Sequence, residues 1–427
     1  MSLKISIEPL AGADTKRLIN RVQTTSPDVD MAVQGIHRLI EQGGDKSLRE
    51  LTRRLDGVKI KDLFLDAEQW QTLADACPDE VRHAIDGNLA RIQAFHALQR
   101  PEAQQLDVAS GVTLGRRPVP YDVVGCYVPG GRASYPSTVL MTVTPARIAG
   151  CPRIIVTTPP RQDGAVDPAV AYAARAAGAT DILLAGGAQA IFALALGTDT
   201  VPQAGAIVGP GNAYVTAAKR MVSEMVHTDA PAGPSELLVL ADDHADPSHV
   251  ALDLMAQAEH DPEAQVVLVA PQAVADAVVT ELEARVPQAE RREIIEQSLN
   301  DHAAILVADL DAGIAFSNDY GPEHLEIMTA QPEQVLARIN SAGSVFLGPY
   351  APVSLGDYGS GTNHVLPTMG FSAMRGGLDV ADFYKWITWQ SCTQEGLQAI
   401  GDDVATLARA EGLIAHAEAV ERRLEDA

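Results

Sequence analysis

Cysteine is scarce in this chain, and what little there is does not form a pattern. Cys77, Cys126, Cys151 and Cys392 lie far apart with no CxxC pair, so neither a disulfide framework nor a thiolate zinc cage is indicated, and all four are expected to be small buried hydrophobes. Lysine is also short, with seven residues among the 32 basic ones, and no basic patch exists. Against 56 acidic residues the formal charge is −24, which repels a phosphate backbone and excludes a nucleic-acid partner. No stretch approaches the roughly 18 consecutive apolar residues of a membrane span, and MSLKISIEPLAGADTK has no apolar run after its lysine. The expectation is a cytoplasmic protein with no membrane partner.

What is present is an ordinary globular composition, 46% hydrophobic and 21% charged, in 427 residues, long enough for two or three cores. Up to about residue 110 the pattern is helical. Apolar residues recur every three or four positions over Val33 to Leu55, broken at Gly43 and Gly44, and again over Ala67 to Leu98. From Tyr121, short branched apolar runs alternate with alanine-rich helical ones: YDVVGCYV, RIIVTTPP, DILLAGG and AGAIVG as strands, helices between them. HTDAPAGPS then reads as a crossing to a second such set that opens with SELLVLAD and closes with SVFLG. The fold class expected is α/β with two Rossmann-like halves, a helical N-terminal segment and a C-terminal helical tail. Residues 349 to 377, with six glycines, read as loop. Asp402 to Leu424 reads as one long amphipathic helix.

Three glycine pairs or near-pairs sit at strand-to-helix junctions: VPGGRA (128 to 133), AGGAQA (185 to 190) and GPGNAY (209 to 214). All fall at the carboxyl ends of strands of one half, where open α/β sheets bind ligands. GPGNAY lacks the third glycine of a dinucleotide fingerprint, and the acidic residue about twenty positions on, Asp229, follows no clear strand. Four further stretches hold candidate chemistry. In QAEH, Gln257 and His260 share a helix face and suit either a metal or a solvated helix end. In YGPEHLEI, Glu323 and His324 offer two proton-transfer groups of different pKa, or one group facing the core and one facing solvent. Asp357 and His364 occupy a glycine-dense loop, functional or merely flexible. Glu411 and His416 are five apart, about 140° around an ideal helix, so a distortion near Gly412 is needed before both reach one ligand.

Taken in order, GCYVPGGRASYPSTVLM, GGAQAIFALALGT, GPGNAYVTAAKR, PAGPSELLVLAD, QAEHDPEAQ, YGPEHLEI, SAGSVFLG and GDYGSGTNHVLPT resemble the histidinol dehydrogenase family, from about residue 20 to the C-terminus. The resemblance implies two successive NAD-dependent oxidations of L-histidinol to L-histidine through an enzyme-held aldehyde, with one zinc per site in a homodimer. By motif match, Gln257, His260, Asp357 and His416 are zinc ligands. Glu323 and His324 are the catalytic pair, with His324 as general base and Glu323 activating water for the second step. Ser235, His364 and Glu411 match substrate-contacting positions, as do the zinc ligands and His324; Tyr127, Gln189 and Asn212 match NAD-contacting ones. The resemblance also implies an N-terminal arm (1–23), a zinc-binding and catalytic domain (24–125 with 234–372), an NAD domain (126–233) and a tail (378–427) that crosses to the other subunit. Trp386 departs from the family pattern, which usually has a basic residue after Lys385, so a homologous dehydrogenase for another amino or sulfo alcohol is the near rival. A metallohydrolase and an idle oligomeric binding protein are the more distant ones. Glu259 points to another helix face and has no expected role.

Overall fold

The structure, a computed structural model, describes residues 3–21, 26–130, 134–231 and 233–425. Gly131, Arg132 and Ala133 of the VPGGRA loop and Ala232 of the HTDAPAGPS crossing lie outside the described residues. The chain divides into two compact units, Met1–Gln99 with Asp122–Phe383, and Arg100–Tyr121 with Tyr384–Ala427.

The first unit holds two parallel sheets. One has six strands in the spatial order Ile7–Pro9, Ala303–Val307, Gln265–Ala270, Glu236–Ala241, His324–Met328 and Ser344–Leu347. Its central strands are apolar on both faces: Leu237, Val239, Val266 and Leu268 pack into one layer, and Leu238, Leu240, Val267 and Val269 into the other. Period-two alternation sends successive side chains to opposite faces, and a run such as ELLVLA with no polar partner face therefore requires cover on both sides. The other sheet runs Asp181–Leu184, Arg153–Thr158, Val123–Tyr127, Ala206–Val208 and His227–Thr228. The expected α/β class, with its helical start and helical tail, is borne out.

Several elements differ from the sequence reading. The helix expected over Ala67 to Leu98 is two, Ala67–Asp75 and Asp79–Ala97, because Pro78 has no N–H and holds the residue before it out of the α region. Val33 to Leu55 does bend at the glycine pair, where Gly44 takes φ 48°, ψ −129° inside Pro27–Leu55. The three-residue edge strand Ile7–Pro9 is too short to carry a period. The stretch read as loop contains a one-turn helix, Ser354–Tyr358. Asp229 does follow a strand, the two-residue His227–Thr228. Three of the cysteines are buried as expected, but Cys392 is exposed.

The second unit is an antiparallel sheet with Val112–Pro120 between Gln104–Ala109 and Tyr384–Cys392, followed by two helices. None of these strands was legible, since neighbouring helical patterns flank the hairpin and the third strand joins from 264 residues after Pro120. The long helix expected from Asp402 is instead Gln394–Ala410 and Ile414–Glu425, separated by a turn at Gly412 with φ +78°. That turn is the distortion the helical-angle objection called for: Glu411 caps one helix and His416 stands in the first turn of the next.

Candidate active site

In the six-stranded sheet the chemistry gathers at the amino edge. Glu236 and His324 begin adjacent parallel strands, with His324 opposite Leu237. The helix Pro247–Ala258 leaves the far end of the Glu236 strand, and its 12 residues, about 18 Å, bring Gln257 and His260 back to the edge where the strand started. Ser354–Tyr358 supplies Asp357, and the loop after it supplies His364. His260, Glu323, His324, Asp357 and His364, together with Ser235, Thr138 and Asn212, line a cavity of about 280 Å³; Glu236 and Gln257 are not on its wall.

Glu323 and His324 form the centre. The Glu323 carboxylate accepts from the Ser235 hydroxyl and the Glu236 amide, both at 2.7 Å, and lies 3.5 Å from His324 Nδ1. His324 Nδ1 also lies 3.0 Å from the Glu236 carbonyl. A carbonyl only accepts, so Nδ1 carries the hydrogen and a neutral His324 keeps its lone pair on Nε2. Burial opposes charge on both groups, but each offsets it for the other: Glu323, with its donors, is held below the usual carboxylate range. The imidazole of His324, against the same burial, is raised by Glu323 to about 9. Each group thus favours the charged form of the other.

Glu236 itself was missed by sequence reasoning, as was its partner. Its carboxylate is wholly buried and bound by Arg21 through two 2.7 Å contacts. Arg21 also donates to the Tyr320 carbonyl at 2.8 Å and lies 3.5 Å from the centroid of the Tyr320 ring. Met369, the one non-glycine residue with positive φ among those described, at 56°, turns its amide to Glu236 at 2.9 Å. A single glutamate before an apolar strand carries no signal for this, and its cation lies 215 residues away.

Three of the four residues matched to zinc ligands belong to this unit. His260 Nε2 lies 4.0 Å and His364 Nδ1 3.5 Å from the two oxygens of Asp357. Gln257 is 1% exposed, yet neither atom of its side-chain amide has a hydrogen-bond partner. A buried unpaired amide costs about 1–3 kcal/mol, and a cation accepted by its oxygen beside His260 and Asp357 would offset that cost. No cluster of three His, Cys, Asp or Glu residues placed to hold a metal exists among the described residues. Glu411 and His416 belong to the second unit, where both side chains are exposed. Trp386 is also there, opposite Pro118 with the Arg116 guanidinium 4.4 Å above its ring.

The glycine loops meet at the carboxyl edge of the five-stranded sheet. Tyr127 ends one strand and its hydroxyl accepts from the Gly187 amide at 3.1 Å; burial pushes its phenol up to about 12. Gly209 takes φ +115°, and a Cβ there would sit 2.1 Å from the Tyr127 carbonyl oxygen, so only glycine allows this approach. Asn212 caps the following helix with its own side chain, which accepts from the Tyr214 and Val215 amides. Those two amides are therefore not free for a phosphate. Asp229 is likewise occupied: buried, it accepts from the Gly209 amide at 2.7 Å and pairs with Lys219. A second cleft of about 640 Å³ is lined by Tyr127, Gly187, Gln189 and Asn212.

One parallel sheet presenting glycine loops beside a cleft and another presenting a buried carboxylate–imidazole pair define a two-sheet α/β protein whose titratable pair is placed for proton transfer. The comparisons narrow this. The family profile described as histidinol dehydrogenase matches residues 19–424. Histidinol dehydrogenases of Methanocaldococcus jannaschii and Methanothermobacter thermautotrophicus are 46% and 47% identical, over 98% and 96% of this chain and the same shares of their own. The crystal structure of histidinol dehydrogenase from Elizabethkingia anophelis superposes with a TM-score of 0.93 at 38% identity, covering 99% of this chain and 98% of that one. The chain belongs to the histidinol dehydrogenase family.

Proposed function

We propose that this protein oxidises L-histidinol to L-histidine in two NAD-dependent steps, as a cytoplasmic enzyme of histidine biosynthesis. The observation that carries the reading is the buried Glu323–His324 pair, in a chain of this family. In this reading the six-stranded half (24–125 with 234–372) is the catalytic domain and 126–233 the cofactor domain, with 1–23 an arm and 378–427 a tail.

His324 Nε2 takes the alcohol proton as hydride leaves the carbinol carbon for NAD, giving the aldehyde. Glu323 removes a proton from the water that adds to that aldehyde, and a second hydride then leaves the hydrate as the carboxylate forms. Ser235 holds Glu323, while His364 and Glu411 contact the substrate. Tyr127, Gln189 and Asn212 contact the cofactor. Gln257, His260 and Asp357, with His416 from a second copy of the chain, would hold one zinc ion. When bound, that ion supplies a fixed point of coordination for the substrate's imidazole and amine. Only the neutral imidazole of His324 takes the alcohol proton, and its raised titration range puts the favoured conditions on the alkaline side. Two oxidations on one carbon make retention of the aldehyde advantageous.

Incubation of the zinc-loaded protein with L-histidinol and excess NAD should yield close to two NADH per substrate consumed. A yield of one, or none, counts against the reading, and other amino and sulfo alcohols run in parallel test the rival substrates.

A further inference from the structure

The dinucleotide fingerprint places an acidic residue where it can bind the ribose hydroxyls of NAD. Here the residue at that spacing, Asp229, is buried, accepts from the Gly209 amide and pairs with Lys219, and it does not line the 640 Å³ cleft. Another carboxylate faces the cleft. Asp56, at the end of the helix Pro27–Leu55 and outside either sheet, lines the 640 Å³ cleft with Tyr127, Gly187 and Gln189. It accepts one side-chain hydrogen bond, from Gln189 Nε2 at 3.3 Å. Gln189 is 1% exposed and its own amide oxygen has no partner. Burial pushes the Asp56 carboxyl up to about 6, as expected of a carboxylate with too few donors.

We propose that Asp56 receives the 2′- and 3′-hydroxyls of the adenosine ribose of NAD and so selects the unphosphorylated dinucleotide. The inference rests on the NAD-dependent reading above. Which end of the cofactor lies there follows from the cavities. The nicotinamide must reach His324, in the 280 Å³ pocket, and that pocket meets the 640 Å³ cleft at Asn212. Asp56 lines the cleft, and a further cavity of about 760 Å³ beyond it, but not the pocket, so a ligand whose nicotinamide lies by His324 and which passes Asn212 meets Asp56 with another of its parts. A vicinal diol offers a carboxylate two O–H donors, the pairing that satisfies both of its oxygens. A 2′-phosphate would replace a donor with like charge. Arg54 also lines the cleft and favours a phosphate, so removing the Asp56 charge takes away the like charge that disfavours a 2′-phosphate there.

The test uses the full-length, zinc-loaded protein with saturating L-histidinol, and measures kcat and KM for NAD and for NADP in wild type, Asp56→Asn and Asp56→Ser. Both variants should raise the KM for NAD about tenfold while changing kcat less than about twofold, as expected for one lost charge-assisted hydrogen-bond pair. The preference for NAD over NADP should fall at least about tenfold in the same variants. A preference unchanged within about twofold in either folded variant overturns the inference. NADH fluorescence titration of the wild type separates the two levels: a wild type that binds no NADH overturns the NAD-dependent reading and this inference with it. If neither variant gives the wild-type circular dichroism, inhibition of the wild type decides. ADP-ribose should then bind at least about tenfold tighter than its 2′-phosphate, and equal binding overturns the inference.

Discussion

Glu323 and His324 are neighbours in sequence, and successive residues of a strand point to opposite faces. They meet because only His324 is in the strand; Glu323 precedes it and is drawn round by the Ser235 hydroxyl and the Glu236 amide. The sequence left this pair open between function and a divided edge position, and geometry decides for contact. In QAEH it separates the two residues, Gln257 being buried with an unpaired amide while His260 is exposed. The separate roles proposed for the pair are open to a split of the two half-reactions. Glu323→Gln should slow oxidation of L-histidinaldehyde at least about tenfold more than oxidation of L-histidinol, whereas His324→Ala should slow both by about a hundredfold or more. Single-turnover rates with each substrate measure this, and equal losses for Glu323→Gln would sink the assignment of the water-activating role.

At the scale of elements, the catalytic strand is tied to the N-terminal segment by Arg21 and Glu236. Both are buried, so Arg21→Met leaves an uncompensated carboxylate and should lower unfolding free energy by about 3–5 kcal/mol, measured by urea denaturation of the metal-free protein. Replacing both as Arg21→Met with Glu236→Leu should recover most of that loss; a single-variant loss below about 1 kcal/mol would show that the pair contributes little. No local pattern announces such a contact, because it joins segments 215 residues apart. The parallel strands were legible for the opposite reason, each being a short apolar run with burial on both faces. The strands of the second unit were not. Their burial is slight, Gln104–Ala109 being exposed over five of its six residues, and without a buried face no alternation is written into the residues.

For the whole molecule, that second unit leaves Leu106, Trp389, Leu407 and Ile414 exposed, Leu106 by 65%. Apolar exposure on one small unit marks a surface that associates, which supports the proposed homodimer. If His416 serves the partner's site, mixing two inactive dimers restores function: one chain carries His416→Ala, the other His324→Ala. Random exchange should then recover about a quarter of wild-type activity, since half the dimers are hybrid and each holds one intact site; no recovery after verified exchange would place His416 in its own chain's site. The residues alone determined the alternation of apolar runs, the glycine loops and a family resemblance that reaches the catalytic pair, because these depend on contacts close in the chain or on whole motifs. Only the tertiary structure decided which acidic residues are free to act, Asp229 being held by Lys219 and Gly209 while Asp56 faces a cleft. Burial and pairing arise between segments distant in sequence, and no single segment encodes them.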